Sequence, residues 1–112
     1  MTTDIEKKEN PPLTNTQKKF LRKLGHAISP VIYIGKEGLT ESVVAAIDKA
    51  LLDHELIKVK LINTDRISKH EAAEQVPEQT GCLLVQLIGK TLLIYRTSEE
   101  KKKDERIRLP AG

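Results

Sequence analysis

The chain of 112 residues has one cysteine, Cys82, no tryptophan, and three aromatic side chains in all, Phe20, Tyr33 and Tyr95. A single thiol excludes an intramolecular disulfide and a cysteine-based metal cluster, and it fits a reducing cytoplasm. So few rings argue against recognition of single strands by serial base stacking, which needs several exposed aromatics in a row. No apolar run approaches the roughly 20 residues of a bilayer-crossing helix, and the opening MTTDIEKKEN lacks the apolar core of a secretion signal. The sequence therefore predicts a cytoplasmic protein with no membrane partner.

Chemistry is missing too. His26, His54 and His70 stand at no metal-ligand spacing, so neither a metal site nor a cofactor is expected. Gly89-Lys90-Thr91 mimics the end of a Walker A loop, but the glycine required five positions before Gly89 is Leu84; Gly35-Lys36 fails because Glu37 follows it. Cys82 begins an apolar run with no histidine near it and reads as a small buried hydrophobe. No catalytic constellation is present, and the chain is not expected to be an enzyme.

What is present is 38% hydrophobic and 31% charged residues, enough for one soluble domain with a single core. The net charge of +3 leans towards polyanionic partners without deciding the matter. Residues 1–12 are polar, end in Pro11-Pro12 and read as a flexible leader. Thr14 and Gln17 then match a capping box, and Phe20, Leu21, Leu24, Ala27 and Ile28 share one helical face. They span an arc of about 120°, while Lys18, Lys19, Arg22, Lys23 and His26 occupy about 140° of the other side. Pro30 stops this helix, and VIYI suits a short buried strand.

GKEG follows at once, and then Thr40 can cap a second helix, with Leu39 and Val44 placed as a hydrophobic staple. Val43, Val44, Ile47, Ala50 and Leu51 form its buried stripe, and Glu41, Asp48, Lys49 and Asp53 its wet side. LIKVKLI alternates as a strand with Ile57, Val59 and Leu61 on one face and Lys58 and Lys60 on the other. Residues 65–76 carry weak helical periodicity, and Pro77 should end or kink that helix. CLLVQLI, Gly89-Lys90 and TLLIYR read as a hairpin with Gly89 in a type II′ turn. The last stretch, TSEEKKKDERIRLPAG, is mixed charge with little to bury, so residues 98–112 are expected to fray or extend. The order α-β-α-β-α-β-β predicts an α/β domain: a mixed four-stranded sheet with helices packed on it.

These residues closely resemble a known family. LTNTQKKFLRKLGHAISPVIYIGKEGLTESVVAAIDKALLDHELIKVKL and the hairpin VQLIGKTLLIYR, over residues 13–97, are similar to the bacterial YhbY proteins, the stand-alone form of the CRM domain (chloroplast RNA splicing and ribosome maturation). The RLP near the C-terminus matches the family's ending. The resemblance implies a fold similar to the C-terminal domain of bacterial translation initiation factor three, preceded by an extra helix. It also implies RNA binding, association with ribosomal RNA in precursors of the large ribosomal subunit, and no enzymatic activity.

The GKEG loop is where such binding has a physical basis. A first helical turn leaves four N–H groups without partners and carries about half a positive charge. Gly35 and Gly38 remove side chains that would hold a phosphate away, and Lys36 adds a mobile cation; Glu37 is expected to face solvent. KH domains clamp a nucleic-acid backbone with a comparable loop. The plainer reading is a tight strand-to-helix turn, and the two are compatible. Lys18, Lys19, Arg22 and Lys23 form a second candidate surface if the first helix lies beside the loop, and Thr40 and Arg96 complete the expected RNA-binding set. Lys58, Lys60 and Arg96 either touch RNA or keep the sheet soluble. The rival reading is a protein-interaction adaptor whose basic helix meets an acidic partner, with RNA association indirect; a monomer is expected in both.

Overall fold

The computed structural model describes residues 12–112, so the leader lies outside the described residues except for Pro12. Seven main elements follow in the expected order: α1 (Asn15–Gly25), β1 (Ile32–Ile34), α2 (Glu41–His54), β2 (Leu56–Leu61), α3 (Lys69–Thr80), β3 (Leu83–Ile88) and β4 (Thr91–Tyr95). The strands form one mixed sheet in the order β1-β2-β4-β3. β1 runs parallel to β2, and β4 is antiparallel to both of its neighbours. Consequently β1, β2 and β3 all point the same way, and the segments that follow them, residues 35–40, 62–68 and the Gly89-Lys90 turn, emerge at one end of the sheet.

The two faces of the sheet are covered by different elements. Ile57, Val59 and Leu61 of β2 and Leu92 and Ile94 of β4 pack with Ile47 and Leu51 of α2 and Ala72 and Val76 of α3. The opposite face presents Leu56, Leu93 and Tyr95 to Leu21 and Phe20 of α1. Each fully buried leucine or isoleucine contributes about 1.5–3 kcal/mol, so both layers matter to stability. A register shift between Leu84 and Gln86 lets Leu84 and Leu87, three apart, face the α2–α3 layer while Val85 faces α1.

Local chemistry explains the helix boundaries. The capping box of α1 is formed: the Gln17 amide donates to Thr14 Oγ1 (3.1 Å) and the Thr14 amide to Gln17 Oε1 (3.1 Å). The helix stops at Gly25, earlier than Pro30 predicts, and Ala27 and Ile28 lie beyond it. Gly25 is pressed on the sheet: a Cβ there would sit 2.8 Å from Leu93 Cδ2. α3 begins later than the periodicity suggests, because Ser68 and Glu71 form a second capping box. Nor does Pro77 end it. The helix continues to Thr80, whose hydroxyl donates to the Val76 carbonyl (2.7 Å), and Gly81 in the left-handed region terminates it. Gly89 takes φ +60° while Lys90 stays out of the positive region, the φ pattern of the expected II′ turn.

The C-terminal segment departs most from expectation. Instead of fraying, it folds back across the α1 side: Ile107 and Leu109 pack beside Leu21 and Tyr95, and the Gln17 side-chain amide donates to the Pro110 carbonyl (3.0 Å). Glu55, fully buried, holds it there. One carboxylate oxygen accepts from the Ser98 amide (2.7 Å) and the other from the Ile107 amide (2.6 Å). A short 3-10 turn at Lys103–Glu105 lies between these two anchor points.

Candidate nucleic-acid interface

The GKEG segment is a hydrogen-bonded turn joining β1 to α2. The Gly38 amide donates to the Gly35 carbonyl (3.0 Å), and the Thr40 amide to the Gly38 carbonyl (3.1 Å). Thr40 caps α2 as expected, its Oγ1 accepting from the Val43 amide (3.2 Å). The protein itself thus satisfies part of the amide set that a first helical turn leaves open. Among the described residues no carboxylate accepts from the loop amides, and Lys36 and Glu37 are exposed at the tip.

The two glycines differ in kind. Gly38 is buried at φ +77°, and a Cβ there would lie 3.0 Å from Arg66 Cβ, so both backbone strain and packing demand glycine. Gly35 has no atom within 4 Å of its would-be Cβ and no positive φ. Its bare backbone therefore has no internal reason, and it leaves room for something to approach.

Arg66 is the residue that sequence reasoning missed. It is exposed, belongs to the segment after β2, and lies against Gly38 because parallel neighbouring strands deliver their following segments to the same end. Nothing in the local sequence marks it; only the pairing of β1 with β2 does. Among the described residues it makes no ion pair, and neither does Lys36. Asp65 and Glu37 are the acids of these two segments.

α1 is not beside the loop. It lies on the face opposite α2, with Gly25 over Leu93. Of its expected cations, Lys19 and Lys23 are exposed and Lys18 and Arg22 half-buried. Between α1 and the loop end, one row of that face stays uncovered: Tyr33, Lys60, Thr91 and Ile88, which are cross-strand neighbours. Lys58, next along β2 on this face, is half-buried. The four strands contain no acid, and Lys58 and Lys60 are their only charged residues. Thus the α1 cations, the open row and the loop are three separate groups, with α1 and the row on one face of the sheet.

Arg96 does not belong with these groups. Its guanidinium donates to Asp48 Oδ1 (2.8 Å), to the Asp48 carbonyl (3.1 Å) and to the Thr80 carbonyl at the end of α3. With its side chain only 18% exposed, it ties α2 to α3. Asp48, expected on the wet side of α2, is its partner. Arg96, expected among the RNA-binding residues, instead has a structural role and turns these donors inward.

Fold and charge together define a small α/β domain with cations on one helix, a lysine in an open, acid-free sheet row and a glycine loop at the end of the sheet. The CRS1 / YhbY (CRM) domain matches residues 13–96. An "RNA-binding protein" of Haemophilus influenzae is 46% identical over 90 residues, covering 80% of this chain and 91% of the relative. The Bacillus subtilis "Probable RNA-binding protein YqeI" is 37% identical over 93 residues, 83% of this chain and 97% of the relative. Among solved structures, the solution structure of the hypothetical protein SAV1595 from Staphylococcus aureus superposes with a TM-score of 0.70 at 45% identity, covering 88% of this chain and 99% of that one. The chain belongs to the CRS1 / YhbY (CRM) domain family.

Proposed function

We propose that this chain binds RNA through the backbone, and that its RNA is ribosomal RNA in precursors of the large ribosomal subunit. The names of the relatives support the first part, and the family resemblance the second. The observation that carries the reading is the pairing of a bare Gly35 with Lys36 and Arg66 at the loop end, continued by Lys60 and the α1 cations across strands that contain no acid. Lys36 and Arg66 supply charge, the exposed turn supplies close approach, and Lys18, Lys19, Arg22 and Lys23 extend the contact. Few aromatics leave shape and phosphate positions as the main features read.

Binding of this kind weakens steeply with salt, each phosphate contact contributing about −0.7 to −0.9 to the log-log slope. Affinity for a large-subunit rRNA fragment measured from low to high salt, in the parent and in the Lys36→Ala, Arg22→Ala, Lys23→Ala variant, tests it. The variant is expected to bind more weakly and with a shallower slope. Unchanged affinity and slope would overturn the reading. Association with a protein partner that survives complete RNA digestion would replace it with the adaptor.

A further inference from the structure

Tyr33 is half exposed, at 50%, in the row that α1 leaves uncovered, whereas Tyr95 is buried and Phe20 packs partly into the α1 layer. Among the described residues it is thus the one aromatic ring open to a partner. Lys60 is its cross-strand neighbour, and Lys58 lies on the same face one row further along β2. Gly35 follows Tyr33 by two residue steps, about 7 Å along extended backbone, a span within reach of a single nucleotide.

We propose that Tyr33 is a stacking platform for one unpaired base, in an RNA whose adjoining backbone is held by the GKEG loop and Lys60. The inference rests on the RNA-binding reading above and adds to it a substrate class: RNA with an unpaired nucleotide beside the clamped phosphates. Charge chooses the occupant. The row combines an exposed ring with one lysine, Lys60, on strands that lack any acid, which suits the π-face and phosphate of a nucleotide. The Tyr33 hydroxyl lies 3.5 Å from the Pro30 carbonyl oxygen, a long contact that leaves the ring face open. The single platform fits the scarcity of aromatics: it reads the presence of a base, not a run of bases.

The test compares a short single-stranded oligoadenylate with an abasic oligomer of equal phosphate count, by fluorescence anisotropy, in the parent chain and in Tyr33→Leu, Tyr33→Phe and Lys36→Ala. The parent should prefer the base-containing oligomer by about fivefold or more. Tyr33→Leu should abolish that preference while binding the abasic oligomer as the parent does, Tyr33→Phe should keep the preference, and Lys36→Ala should weaken both oligomers alike. Ring signals of Tyr33 in the NMR spectrum should shift with oligoadenylate and not with the abasic oligomer. Equal affinity of the parent for the two oligomers, or an equal loss from both in Tyr33→Leu, would overturn the platform while leaving backbone binding intact. So would an rRNA fragment that binds while oligoadenylate does not. Failure of every RNA to bind would instead overturn the reading beneath it, and an acidic protein partner retained on this row after nuclease treatment would do the same.

Discussion

Three glycines show how much a missing side chain can mean. At Gly25 the added methyl of alanine would press into Leu93, which is itself 1% exposed, so Gly25→Ala is expected to cost about 1–3 kcal/mol in a denaturant titration. Gly38→Ala adds the strain of φ +77° to its contact with Arg66 and should also destabilise. Gly35→Ala meets nothing, so stability should stay within about 0.5 kcal/mol of the parent. If phosphate comes close at Gly35, the same substitution lowers RNA affinity, and a parallel measurement of stability and binding separates the two roles. Buried Cys82 behaves as a small hydrophobe. Desolvation by burial pushes its thiol above the ordinary value of 9.0, and burial likewise raises the Tyr95 phenol above 10.0. In both cases the folded state holds its proton more tightly than the unfolded chain. The stability involved is present below the ordinary values and is lost as pH rises through the folded ones. The denaturation midpoint should therefore fall above roughly pH 9, and Cys82 should react with thiol reagents slowly until the chain is unfolded.

Among the elements, caps and turn residues were the most legible. Thr14 with Gln17, Thr40 before α2 and Gly89 in the hairpin act locally, through hydrogen bonds and φ preferences that need no distant partner. Ser68 with Glu71 carries the same signature, which marks the start of α3 more sharply than its weak apolar period does. Pro77 does not end α3, because a proline in the last turns of a helix removes one bond yet leaves the segment free to continue when packing holds it, as buried Val76 does here. The C-terminal segment departs from expectation for another reason: its anchor, Glu55, is more than forty residues away in sequence. Glu55→Gln keeps the shape but replaces one of the two acceptor oxygens with a donor facing an N–H, and should cost about 1.5–3 kcal/mol. Truncation after Thr97 should cost more, by exposing the α1 layer and leaving the Glu55 carboxylate without its amides. Both are checked by the denaturation midpoint. Arg96→Ala belongs with them: it unties α2 from α3 and should lower stability, while RNA affinity of the folded fraction stays near that of the parent.

At the scale of the molecule, the cations of the proposed interface fall into separate groups, on α1, on the open row and at the loop end. Substitutions in α1 and at the loop should therefore add in free energy of RNA binding, since they share no neighbours, and each should reduce the salt slope on its own. A fluorescence titration of Arg22→Ala, Lys23→Ala against Lys36→Ala, Arg66→Ala and the combination checks this. A combined loss far from the sum would mean that the groups do not act on one RNA independently. The amino-acid sequence by itself determined the element order, the two-faced character of α1 and the position of the GKEG loop, because each follows from spacing, capping and φ preferences within a few residues. Only the tertiary structure decided that α1 lies across the sheet from α2, that Arg66 joins the loop, that Arg96 leaves the surface, and that Tyr33 stands uncovered. Those depend on which strands pair and in which direction, and pairing sums many weak contacts between residues far apart in the chain.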